Sequence, residues 1–238
     1  MACSRCYPSV MSLESRVALI SGATGALGRA LARRLAGDGA SLVLVGTDAA
    51  RLEDVVSSES LPADRCLTLV ADLRSDDDTR AAVQHSIERF GRIDVLAHLV
   101  GGYAGGTPLV ETDAPQLRNM LDQHAWTTFN AVRAVVPLMT AAGWGRIIAV
   151  SPTTVATPGT NAAAYTAAKA AQDAMLVSLA RELKGTGVTA NLVVVRAIDA
   201  DRSDKAGWAT PEHIASTIVY LCSDDAATVN GARIPLTG

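Results

Sequence analysis

Residues 16–40 read RVALISGATGALGRALARRLAGDGA: a short apolar run, a glycine-rich turn, then Leu27, Leu31 and Leu35 at helical spacing. A run that is apolar throughout is a strand buried on both faces, and such strands occur in parallel sheets covered by helices. The rhythm repeats. "SLVLVG" and "DAARLEDVVSSE" give a second strand and helix with Asp48 as N-cap, and "CLTLVADL" with "SDDDTRAAVQHSIERFG" gives a third pair closed by Gly91. "IDVLAHLVGG" is a fourth strand running into a glycine-rich loop. A long helix is predicted over 113–142, then "GRIIAVS", a helix over 161–184, "VTANLVVV", a Thr-Pro-capped helix from 210, and a short final strand "ARIPLT".

Strands alternating with helices through short connections predict one α/β domain, a doubly wound parallel sheet of Rossmann type, over 13–238. Residues 1–12 read as a flexible tail. The net charge of −3 and 4% aromatic content give no reason to expect nucleic acid or an anionic membrane as partner. Cys3 and Cys6 form a C-x-x-C, but two further ligands at matching spacing are missing, so no metal site is expected and a reducing, cytoplasmic setting is the simpler reading.

Two segments carry chemistry. In "SGATGALG" (21–28), glycines precede a helix N-terminus, whose backbone N–H groups suit a pyrophosphate. Gly22, Thr24, Gly25, Ala26, Leu27 and Gly28 are therefore cofactor-binding candidates. The second strand ends on Gly46 rather than an acid, with Thr47 next and Arg51 one helical turn on; this leans towards NADP(H) over NAD(H), since a carboxylate there would repel a 2′-phosphate. Asp48 could equally serve only as a cap. Asp72, after the third strand, could accept from an adenine amino group or be a plain loop carboxylate. The second segment, "VSPTTVATPGTNAAAYTAAKAA" (150–171), places Tyr165 and Lys169 on one helix face.

Gly22, Gly25, Gly28, Asp72, "HLVGG" and Tyr165-x-x-x-Lys169 together resemble the short-chain dehydrogenase/reductase superfamily, over roughly 13–238. The resemblance implies NAD(P)(H)-dependent hydride transfer to or from a small activated carbonyl, quinone or imine. Tyr165 would move the proton, and Lys169 would lower the tyrosine pKa and hold the nicotinamide ribose. Asp72, Leu73, Val100, Gly101 and Ile198 would line the cofactor. It also implies a homodimer or homotetramer built on the helices at 113–142 and 161–184.

Four positions depart from the family pattern. Ala26 replaces its middle glycine, and His98-Leu99-Val100-Gly101 replaces Asn-Asn-Ala-Gly. His124 stands at the helix asparagine and Pro152 at the serine. Proline offers neither a side-chain donor nor an N–H. A one-residue shift would bring Ser151 or Thr153 into the serine's place, and His124 could hold a water or relay a proton. "VGGYAGG", "QHAWTT" and the segment after strand six are similar to the dihydropteridine reductase-like branch, which also lacks the serine and reduces an electron-poor acceptor. Two alternatives stay open: non-redox chemistry in the same pocket (cyclisation, dehydration or isomerisation), or a catalytically silent partner subunit.

Overall fold

The computed structural model describes residues 13–237. The tail at 1–12 and the Cys3–Cys6 pair lie outside the described residues.

Seven parallel strands form one sheet in the order β3-β2-β1-β4-β5-β6-β7: β1 Val17–Ser21, β2 Ser41–Gly46, β3 Cys66–Val70, β4 Val95–His98, β5 Gly145–Pro152, β6 Val188–Val195 and β7 Arg233–Leu236. The helices are α1 Ala26–Gly37, α2 Ala49–Ser58, α3 Asp76–Phe90, α4 Ala114–Leu121, α5 Thr127–Ala142, α6 Ala163–Glu182 and α7 Pro211–Cys222.

The pleat of β1 shows why its sequence is apolar throughout. Ala18 and Ile20 join Leu31 and Leu35 of α1, Leu52 of α2, and Ile214 and Ile218 of α7 in one core. Val17 and Leu19 face the opposite way, into a second core with Val83 of α3, Val135 and Met139 of α5, and Leu176 of α6. Alternate residues of one strand thus feed two helix layers. Strand order reverses between β1 and β4, and the crevice outside the carboxyl ends there is where this class of sheet binds ligands.

Local punctuation follows the expected chemistry. Asp48 caps α2 through the Arg51 amide, Ser75 caps α3, Gly91 closes it with φ of 76°, and Thr210 caps α7 ahead of Pro211. The helix predicted at 113–142 differs in one respect: Asp122–Trp126 is a π-turn between α4 and α5. One surplus residue in the coil leaves carbonyls short of their usual amide partners. The Thr127 hydroxyl donates to Gln123 O at 2.8 Å and the Thr128 hydroxyl to His124 O at 2.6 Å, the latter carbonyl also accepting from the Thr127 amide.

Candidate active site

The glycine turn leaves α1 bare. Asp48, Ser75, Asp113 and Thr210 cap their helices with side chains, whereas α1 opens on Gly25 with no side-chain cap and no acid in its first turn. The amides of Ala26, Leu27 and Gly28 therefore face outward with no side chain to accept from them, the arrangement that suits a phosphate. Two glycines are required by the fold itself. A Cβ at Gly22 (φ 71°) would come within 2.9 Å of the Leu99–Val100 peptide, and one at Gly28 within 2.5 Å of Gly22 O. A Cβ at Gly25 would meet only Gly22 O, at 3.5 Å, so the open space above Gly25 is a cradle that a side chain would fill. These residues fit a dinucleotide pyrophosphate, and Ala26 as the first helical residue does not disturb the turn.

Around the adenosine end, Thr47 and Arg51 are exposed, and the Arg51 side chain enters no hydrogen bond or ion pair among the described residues. Arg29 is already committed, to Asp54 at 2.5 Å and Ser58 at 2.9 Å. The Asp72 carboxylate is gripped by the Arg74 guanidinium at 2.6–2.9 Å, which holds its carboxyl below the usual range and competes with any adenine amino group. Leu73 is buried, and its carbonyl accepts from Asn130 of α5 at 2.9 Å, tying this loop to the helix that carries the π-turn.

On α6, Lys169 is 8% exposed and its Nζ donates to Val150 O at 3.0 Å and to Gln172 Oε1 at 2.9 Å. Burial pulls the ammonium down to about 8, against the Asp173 charge, which favours protonation. Tyr165 is half-buried, with its ring edge-on to Tyr103 at 5.0 Å and to His124 at 5.4 Å. Burial, then Tyr103 and Asp173, push its hydroxyl up to about 12. Every group acting on the phenol thus raises it, and the lysine's two protein acceptors lie elsewhere. The expected lowering of the tyrosine by Lys169 is not part of this arrangement.

His124, in the π-turn, is 1% exposed and its Nε2 lies 2.8 Å from Gly102 O. Only a donor can face a carbonyl oxygen, so Nε2 carries the proton and Nδ1 keeps a lone pair. That buried Nδ1 has no partner among the described residues. Burial, then Lys169, hold the ring down to about 4, so it is neutral near pH 7. Gln123 accepts from the Gly102 amide at 3.0 Å, so the glycine loop is held to the π-turn from both sides. His98, at the end of β4, is wholly structural in its contacts: Nδ1 meets Ser21 Oγ at 3.0 Å and Nε2 meets Thr127 Oγ1 at 3.2 Å, joining β1, β4 and α5.

The hydroxyls near Pro152 do not replace the serine. Ser151 is wholly buried and donates to Asp173 Oδ2 at 2.8 Å, so it supports a carboxylate inside the core. Thr153 is exposed in the 3-10 turn at 153–155, and Pro152 itself is buried in register with Val195. Ile198 is half-buried and bridges to Ala209; just beyond it, the Asp199 carboxylate accepts from the Ser203 amide and hydroxyl and from the Asp204 amide, closing a turn over 199–204. Sequence reasoning missed Tyr103, Asn130, Gln172 and Asp173 as members of the site. A glutamine and an aspartate inside the small-residue run "AAQDAM" were the available signal for two of them.

A bare, glycine-lined helix end at the switch point of a doubly wound sheet, with a buried lysine one turn from a tyrosine, defines a dinucleotide-dependent oxidoreductase. The short chain dehydrogenase family model matches residues 16–208, and the chain belongs to that family, whose chemistry is NAD(P)-dependent hydride transfer. It is similar to subunit BbsC of (2S)-[(R)-hydroxy(phenyl)methyl]succinyl-CoA dehydrogenase from Thauera aromatica, at 32% identity over 94% of both chains. It is similar also to the 3-oxoacyl-[acyl-carrier-protein] reductase FabG of Pseudomonas aeruginosa, at 28% identity over 96% of this chain and 98% of that one. Among solved structures, levodione reductase superposes with a TM-score of 0.87 at 27% identity, covering 94% of this chain and 97% of that chain. A short chain dehydrogenase from Bacillus anthracis gives the same TM-score and identity, covering 94% and 95%.

Proposed function

We propose that this protein is an NADP(H)-preferring reductase of a small, electron-poor acceptor such as a quinone, an enone or a conjugated imine. The observation that carries the reading is the Tyr165–Lys169 pair: a half-buried phenol one turn from an ammonium that is almost fully buried and held by two neutral acceptors.

When bound, the reduced nicotinamide supplies the hydride. The amides of Ala26, Leu27 and Gly28 hold the pyrophosphate, Thr47 and Arg51 take the 2′-phosphate, and Leu73, Val100, Gly101 and Ile198 line the remaining contacts. Asp72 serves the adenine only when Arg74 releases it. Lys169 holds the nicotinamide ribose, and Tyr165 gives its hydroxyl proton to the substrate oxygen or nitrogen. Neutral His124, with an unpartnered Nδ1, accepts a hydrogen bond beside Tyr165. Pro152 gives nothing, so the acceptor must be activated by its own electronic structure. Tyr103, 71% exposed and edge-on to Tyr165, offers an aromatic wall to a flat substrate. Ser151 has no part in the chemistry.

Trp126 and Phe129 stack edge to face at 5.5 Å on the outside of the π-turn and α5, and both are exposed, which supports self-association through this helix as a dimer or tetramer. Cys66 and Cys222 are free, which supports a reducing, cytoplasmic setting; among the described residues no helix is long and apolar enough to cross a membrane.

Fluorescence titration with NADPH and NADH, in wild type and Tyr165→Phe, tests the reading. Micromolar NADPH binding retained in the variant, with NADPH oxidation by a quinone seen only in wild type, is the expected result. No binding of either cofactor at millimolar concentration would overturn it.

A further inference from the structure

Gln172 is wholly buried on α6, three residues past Lys169 and next to the buried Asp173, in a run rich in alanine. A buried primary amide is costly unless both of its ends are paired. Both are. Its Oε1 accepts from Lys169 Nζ at 2.9 Å, and its Nε2 donates to Thr128 Oγ1 at 2.8 Å. The Thr128 hydroxyl in turn donates to His124 O at 2.6 Å, so a carbonyl of the π-turn, which also accepts from the Thr127 amide, is the end of a chain that begins at the ammonium. Lys169, Gln172, Thr128 and the His124 carbonyl form one continuous line of four groups between α6 and α5, with each donor matched to an acceptor.

We propose that Gln172 is the positioning residue of this site: through Thr128 it locks the Lys169 ammonium to the shape of the π-turn that carries His124. The lysine's place is then set by two neutral acceptors, the Val150 carbonyl of β5 and the Gln172 amide, and among the described residues by no direct carboxylate partner. The charged and titratable groups that act on it are Asp173 from α6, His98 from β4 and His124 from the π-turn, with Tyr165 one turn back on its own helix. Asp173 itself is taken by Ser151 and, at 2.5 Å, by Arg233 of β7. A neutral acceptor steadies the ammonium without supplying a charge, so a change at residue 172 alters the lysine's protonation directly.

The catalytic weight of this assignment rests on the function proposed above, but its test does not. The chain holds three lysines, Lys169, Lys184 and Lys205, so a protein labelled with 13Cε-lysine gives a spectrum in which Lys169→Arg identifies the buried one by the loss of a signal. Titration is then followed in wild type, Gln172→Leu and Gln172→Glu, without cofactor or substrate. Gln172→Leu removes an acceptor from the charged form and lowers the Lys169 midpoint by about half a pH unit or more; Gln172→Glu supplies a charge and raises it by about one unit or more. Thr128→Val, which leaves residue 172 in place but cuts the link, shifts the Lys169 resonance and midpoint as well, and serves if a Gln172 variant fails to fold. A midpoint that stays put in every folded variant, with only a loss of thermal stability, would overturn the proposal and leave Gln172 a packing residue. A separate NADPH titration of the same proteins reports on the proposed function alone.

Discussion

A Cβ placed on Gly101 would stand 2.2 Å from Cε1 of His124 and 2.4 Å from its Nδ1. The imidazole thus occupies the room that any side chain at 101 would need, and Gly101 also takes φ of 128°, a region that other residues rarely enter. The two residues are a matched pair. Gly101→Ala should destabilise the protein by about 2 kcal/mol or more, from the strained backbone and the displaced ring together. In a His124→Ala background the same change should cost clearly less, because only the backbone part remains. Chemical denaturation of the four proteins decides it; equal costs in both backgrounds would refute the pairing.

Pro152 ends β5 with φ of −83° and ψ of 151°, an extended conformation open to any residue. Pro152→Ser restores the hydroxyl that the family keeps there. Turnover of a plain ketone should rise by up to ~100-fold, the weight of one oxyanion donor, whereas an electron-poor quinone should gain little. Steady-state kinetics on one substrate of each kind are the check, and equal gains on both would argue against an acceptor that activates itself.

A Cβ at Gly46 would touch only Leu52 and Thr24 side-chain carbons at 3.4 Å, so an aspartate fits at the end of β2 with small adjustments. Gly46→Asp places a carboxylate where a 2′-phosphate would lie. The Kd for NADPH should rise ~10-fold or more and that for NADH should fall. A variant that bound NADPH more tightly than NADH would count against a 2′-phosphate site at Thr47 and Arg51.

Two imidazoles are held neutral in the folded protein. Burial first, then Lys169 and His124, lower His98 to about 3, and His124 stands at about 4, against 6.5 for a free ring. Below about pH 6.5 the unfolded chain therefore binds more protons than the folded one. This contribution to stability is complete above that pH and is lost as the pH falls towards 4, at ~1.4 kcal/mol per pH unit for each histidine. Denaturation between pH 7.5 and 4.5 should show the decline, and His98→Asn should remove about half of the histidine part of the slope. An unchanged slope in that variant would mean that His98 is not the group being titrated.

The sheet was readable because each strand is a short apolar run and the helices between carry their own punctuation: Asp48, Gly91 and Thr210 act through local geometry, which sequence reports directly. Tyr165 and Lys169 were readable for the same reason, since four residues along a helix is a local relation. The π-turn was not, because one extra residue in a good helical sequence leaves no mark on its periodicity. Nor was the fate of Ser151, whose direction depends on a strand's pleat and on an aspartate 22 residues away. Lys169 was expected to act on its neighbour Tyr165, but its partners are the Val150 carbonyl, which only the packing of α6 against β5 brings near, and the Gln172 amide three residues on along the same helix.

The π-turn also acts as a phase shift. At 3.6 residues per turn, one surplus residue rotates α4 by about 100° relative to α5. Leu121 and Met120 owe their direction to that rotation: Met120 is buried against Ala164 and Ala168 of α6, while Val135 and Met139 of the same continuous coil reach the sheet. Deleting a single residue between 122 and 126 would turn α4 by more than a quarter revolution, aim Met120 away from α6, and uncover the alanine face on which Tyr165 stands.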